Sequence, residues 1–177
     1  VLASGKNPQA DQYTLVAHTN ARQISGVRIE VLGDKSLPHG GPGRDAEGNF
    51  FLSEFDVEIA PADKPGEKRH VVWKEAKADE SQTGYEASKL IHKEETGPRG
   101  WAIDAAYKDP PNRRQIVVIP DEPFGFASGT IITTTLKHEM RHATRNIGHF
   151  RLSVTSVPDP EFTGRLPARL RPLLNVA

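Results

Sequence analysis

The chain has 177 residues, enough for one ordinary domain with a sizeable core. Its 23 basic residues balance 23 acidic ones, so the formal charge is zero and no electrostatic footprint for nucleic acid or an anionic membrane surface is expected. Cysteine is absent, which excludes disulfides, thiolate nucleophiles and cysteine-held metal sites within this chain, and no apolar run is long enough to span a bilayer.

Taken in chain order, the opening Val1-Leu2-Ala3-Ser4-Gly5 lacks an initiator methionine and reads as the start of an excised piece of a longer protein. Residues 1–11 are polar and turn-rich, an expected surface strand or extended arm. Residues 13–17 read as a strand. Residues 24–32 are another, with Val27, Ile29 and Val31 alternating against Arg28 and Glu30. Residues 33–48, containing Pro38, Gly40, Gly41, Pro42 and Gly43, form a long irregular loop, a kind that is functional or packs on itself. Phe51, Ser53, Phe55, Val57 and Ile59 alternate with Leu52, Glu54, Asp56 and Glu58, the cleanest strand pattern in the chain. A charged turn at 61–68 leads to a short predicted strand at 70–73. Residues 74–98 are charged and poorly periodic, with one helical turn expected near 88–93. Residues 100–103 and 115–119 read as buried strands. Around eight short strands with regular turn signals and no long helix predict an all-β fold, a β-sandwich or jelly roll, over residues 1–156. The proline-bearing residues 157–177 read as a linker or the start of a following domain, with Leu166, Leu170, Leu173 and Leu174 spaced to dock on the body.

His138-Glu139-Met140-Arg141-His142 matches the H-E-x-x-H pattern of zinc hydrolases, in which a helix aims two imidazoles at one Zn²⁺ and a Glu serves as general base. The flanking residues argue against a helix. Residues 130–136 are nearly all β-branched, and from 147 to 155 Phe150, Leu152 and Val154 alternate with His149, Arg151, Ser153 and Thr155. His149 also falls one position late for the longer metzincin spacing. The expected arrangement is therefore a hairpin, with 138–146 as the end of one strand and its loop. A zinc hydrolase using His138, Glu139 and His142 is the less favoured alternative. Glu54 and Asp56 share a strand face, but paired acids on a wet strand are common, and no G-x-S-x-G elbow is present. Gly40-Gly41-Pro42-Gly43 lacks the Gly-Lys-Ser/Thr ending of a phosphate loop.

Several segments in order carry a resemblance. They are residues 11–17, Ile24-Ser25-Gly26-Val27-Arg28-Ile29-Glu30-Val31-Leu32, Ser36-Leu37-Pro38-His39-Gly40-Gly41-Pro42-Gly43-Arg44, Gly48-Asn49-Phe50-Phe51-Leu52-Ser53-Glu54-Phe55, Gly100-Trp101-Ala102-Ile103 and residues 147–155. Over nearly its whole length the chain resembles the β-sandwich module found inside large planctomycete proteins, between planctomycete-specific domains and often beside a cytochrome-c-like domain. The resemblance implies a galactose-binding-like or carbohydrate-binding-module fold in an exported, extracellular or periplasmic protein. The implied partners are a polysaccharide or glycan and the neighbouring domains of the parent chain, with no nucleic acid and no membrane. Asn146-Ile147-Gly148-His149-Phe150 departs from that pattern, which has His before the Ile-Gly and Arg before the Phe. Leu90-Ile91-His92 stands where a related pattern has Ala-Ile-Asp.

The expected role is a non-catalytic carbohydrate-binding module, with a structural domain that binds no glycan as the alternative. Sugar-binding surfaces combine flat aromatic faces with a few polar groups. Trp101, between Gly100 and an apolar strand, is expected in the core. Trp73 is a candidate platform, and Tyr107, in a polar loop near Arg113 and Arg114, could stack on a sugar, especially an anionic one. Modules of this kind often carry a structural Ca²⁺, which takes six to eight oxygen ligands. Asp34, Asp45, Asn49, Glu54 and Asp79 are the candidate ligands, with Glu47 and Glu80 beside them.

Overall fold

The alternating segments become strands in a computed structural model, which describes residues 1–91, 99–104, 113–139, 144–158 and 160. Ten strands run β1 (Asp11–Thr19), β2 (Gly26–Val31), β3 (Phe51–Leu52), β4 (Glu54–Pro61), β5 (Arg69–His70), β6 (Trp73–Ala78), β7 (Trp101–Ala102), β8 (Arg114–Pro120), β9 (Thr130–His138) and β10 (Phe150–Thr155). The first sheet has the order β1-β9-β4-β5, the second β10-β2-β8-β6, and β3 pairs with β7. Every pairing is antiparallel. The helical content among the described residues is two short 3₁₀ turns, Pro38–Gly40 and Ala87–Leu90. The expected all-β sandwich is what forms.

Period-two patterning decides which side of each sheet is dry. Val27, Ile29 and Val31 of β2 and Ile116 and Val118 of β8 join Phe55, Val57 and Ile59 of β4 and Ile132 and Leu136 of β9 in one hydrophobic cluster that draws on both sheets. Trp101 is fully buried, its ring edge-on to Phe50 at 4.8 Å and its Nε1 donating to the carbonyl of Glu80. It is a core residue, as its apolar neighbours predict.

The long loop after β2 packs on itself and on the start of β10. The amide of Gly43 donates to the carbonyl of Gly48, that of Gly148 to Pro42, and that of Arg44 to Asn146. The approach leaves no room for a side chain at residue 43, where a Cβ would stand 1.7 Å from the carbonyl oxygen of Asn49. This is why glycine recurs here without any phosphate chemistry.

Three expectations are corrected. The pattern at 51–59 is two strands, because the chain changes sheet at Ser53, whose amide and Oγ both donate to the carbonyl of Lys137. The strand expected at 70–73 is β5 ending at His70 and β6 beginning at Trp73, and β6 then continues to Ala78 through Trp73-Lys74-Glu75-Ala76-Lys77-Ala78. That segment borders the second sheet and pairs only with β8, and an edge strand tolerates charges that disguise its period. The last two strands do not form a hairpin. β9 lies between β1 and β4 in the first sheet, whereas β10 borders the second sheet beside β2. Alternation reports which face a strand buries, not which strand it joins.

Candidate functional site

The outward positions of the second sheet follow from the inward ones. With Val27, Ile29 and Val31 in the core, Gly26, Arg28 and Glu30 face out. Register then places Arg151, Glu30 and Gln115 side by side across β10, β2 and β8. The next row holds Ser153, Arg28, Val117 and Lys77, and Thr155 lies opposite Gly26.

Glu30 is the centre of this face. Its side chain has no exposed surface, although it sits on an outer row, because three arginines cover it. Arg151 binds it in two-pronged fashion, Nε to Oε2 at 2.6 Å and Nη2 to Oε1 at 2.9 Å. Arg113 donates from Nη2 to Oε1, and Nη2 of Arg28 stands 3.5 Å from Oε2. The hydrogen bonds from Arg151 hold the Glu30 carboxyl below the usual carboxylate range, against the opposing effect of burial, and the charges of Arg28 and Arg113 add to this. With both oxygens occupied and the group held ionised, Glu30 anchors the arginines around it. Three cations around one anion leave a local surplus of positive charge at this cluster.

The arginines are not held equally. Among the described residues Arg28 makes only the long contact to Glu30, and its Nε is buried without a hydrogen-bond partner. Its side chain borders a cavity of about 300 Å³ also lined by Gly26, Val117, Ser153, Thr155 and Pro160. The cavity therefore joins an under-satisfied guanidinium to two hydroxyl-bearing side chains on a rigid sheet.

The other predicted residues fall elsewhere. Arg113 and Arg114 do not form a pair. Successive strand positions face opposite ways, so Arg113 reaches Glu30 while Arg114 is buried and pairs with Glu80 at 3.0 Å. Trp73 is no open platform. It is half-buried against Phe55 with ring centroids 5.2 Å apart, beside an irregularity in the β6–β8 register. Tyr107 lies outside the described residues.

The expected calcium ligands do not compose an oxygen cage. Oδ1 of Asp45 accepts the amides of Glu47 and Asn49, and its Oδ2 meets Nε of Arg145 at 3.2 Å. Asn49 donates to Asp104, Asp34 accepts both the amide and the hydroxyl of Ser36, Glu54 pairs with Lys137, and Asp79 accepts the amide of Gln115. Among the described residues no three His, Asp or Glu side chains are grouped to hold a metal ion.

His138 is the last residue of β9 and points inward, so the first histidine of the H-E-x-x-H string is not on a helix. Its Nε2 accepts the amide of Ile147, and its ring lies 4.9 Å from that of Tyr13, which in turn stacks on Phe150. Burial lowers its pKa to about 4, so the imidazole is neutral near pH 7. His142 lies outside the described residues.

A larger cavity, about 780 Å³, runs between the border strands β1 and β10 and is lined mainly by apolar side chains, including Leu15, Val27, Ile132, Leu152 and Val154.

Arg28, Glu30 and Arg151 were not singled out from the sequence as a site. The only signal was their outward position on two alternating segments. Comparison of the chain with protein-family models, with curated proteins and with solved structures found no match.

Proposed function

We propose that this chain is a non-catalytic carbohydrate-binding module of a larger exported protein, with its glycan seated on the outer face of the second sheet. Export rests on the resemblance noted above. The observation that carries the glycan reading is the cavity beside Arg28, where Ser153 and Thr155 supply hydroxyls and the sheet supplies a rigid floor. Saccharide recognition depends on hydrogen bonds from fixed polar groups, and these side chains stand on β2 and β10 rather than on loops. Affinity electrophoresis of the full 177-residue chain through gels containing individual polysaccharides tests the reading. Retardation by at least one of them, relieved in a Ser153→Ala, Arg28→Ala double variant that keeps its circular dichroism, is the expected result. Migration unaffected by any polysaccharide rejects it.

A structural role in packing on neighbouring domains is the second reading. It is favoured by the apolar groove between β1 and β10, where Val16 is 62% exposed and Val154 39%. A Val16→Ser variant, on the groove and away from the Arg28 cavity, distinguishes the two. It leaves glycan retardation intact under the first reading and weakens docking to flanking domains under the second.

A further inference from the structure

We infer that the ligand of the Arg28 cavity is an anionic saccharide, one carrying a carboxylate or a sulfate ester, with its oxyanion against Arg28. The inference rests on the glycan reading above and adds the chemical class.

The first argument is a donor count. Three guanidinium groups bring about five N–H donors each to a single carboxylate, far more than its roughly four lone-pair sites accept. Arg151 and Arg113 take the hydrogen bonds to Glu30, and Arg28 is left with one contact of 3.5 Å. The side chain is nevertheless 40% exposed and borders the cavity, so the guanidinium is within reach of a ligand seated there.

Charge is the second argument. Near-neutrality of the whole chain means that three arginines around one carboxylate are a local arrangement rather than a general basic surface. Beside the cluster, Lys77 already has a partner in Glu75 at 3.0 Å. The hydrogen bonds to Glu30 fix Arg113 and Arg151, so the positive surroundings of Arg28 are ordered before a ligand arrives.

The third argument is what the cavity lacks. None of its lining residues is aromatic, so stacking on a pyranose ring is not available there. Recognition falls to charge and hydrogen bonds, which a neutral sugar uses weakly in water and an acidic one uses well. Ser153, whose hydroxyl makes no hydrogen bond among the described residues and which stands directly across from Arg28, is placed to meet a sugar hydroxyl beside the oxyanion.

The test is affinity electrophoresis of the full chain in gels of polygalacturonate (carboxylate), dextran sulfate (sulfate ester), and dextran and xyloglucan (neutral). Retardation by at least one acidic gel and not by the neutral ones is expected, falling as salt is raised. Arg28→Ala is expected to weaken it about tenfold or more, the loss of a charge-assisted contact. Ser153→Ala should weaken it several-fold. Lys68→Ala removes the same charge from the opposite side of the molecule and should change nothing. The two acidic arms tell carboxylate from sulfate. Retardation by neutral gels equal to that by acidic ones overturns the anionic assignment and leaves the glycan reading standing. Retardation by none overturns both. Equal losses in Arg28→Ala and Lys68→Ala reduce the effect to net charge and also overturn the assignment.

Discussion

The two outer faces of the sandwich carry similar numbers of charges and use them differently. On the first sheet each acid of β4 has one basic neighbour: Glu54 meets Lys137 at 2.9 Å, Asp56 meets His70 at 3.0 Å and Glu58 meets Lys68 at 3.8 Å. These groups are partly exposed, and such pairs contribute between nothing and about 1 kcal/mol each. On the second sheet one buried carboxylate gathers three arginines. One-to-one pairing leaves a solvated wall of separate contacts, while three-to-one pairing concentrates positive charge around a single carboxylate.

The largest contrast should come from removing the central acids. Glu30→Gln leaves three guanidiniums crowded around a neutral amide and is expected to cost about 3–5 kcal/mol of stability in urea unfolding. Glu54→Gln on the other face should cost about 1 kcal/mol or less. Equal effects would erase the distinction between the faces.

Between the sheets, His138 predicts a pH dependence. Its folded pKa of about 4 lies below the ordinary 6.5 because burial disfavours the imidazolium. The unfolded chain then takes up a proton as pH falls through 6.5 while the folded chain does not. The stabilisation is full above about pH 6.5 and shrinks as pH falls toward 4, by about 3 kcal/mol in all. Urea midpoints measured at pH 7.5 and 4 should differ accordingly, and His138→Gln should flatten that part of the profile.

A smaller effect separates two arginines of the same face. Arg151→Ala breaks the two-pronged bond to Glu30 and should lower the urea midpoint, the larger loss of the two. Arg28→Ala removes one long contact and should cost less than about 1 kcal/mol while abolishing most ligand binding. If Arg28→Ala proved the more destabilising, Arg28 would be a structural anchor and not the cation left for a ligand. The smallest change is expected for Lys137→Ala, within about 1 kcal/mol by thermal unfolding.

Much of the fold was legible residue by residue. Val27, Ile29 and Val31 declared the dry side of β2, and Phe55, Val57 and Ile59 that of β4. Trp101 was recognisable as core from its neighbours. β6 was not legible, because Lys74, Glu75 and Lys77 on a border strand mask its period. The candidate site was barely legible. Arg113 drew notice through the Arg113-Arg114 doublet, yet only one of the two belongs, because the doublet straddles a strand whose successive residues face opposite ways. The attention drawn by H-E-x-x-H was misplaced at His138, since an i,i+4 pattern has chemical meaning only on a helix and His138 ends a strand.

The amino-acid sequence by itself determined the all-β class and sorted the residues of most strands into inward and outward sets, because a period of two is a local property of the chain. Only the tertiary structure decided that Arg151 and Arg113, 121 and 83 positions away from Glu30, would converge on it. The physical reason is that one strand's pattern names the face it buries and leaves its neighbours and register open. Those are settled by packing two sheets around one core, which sent β9 and β10 to different sheets and set the three arginines over one carboxylate.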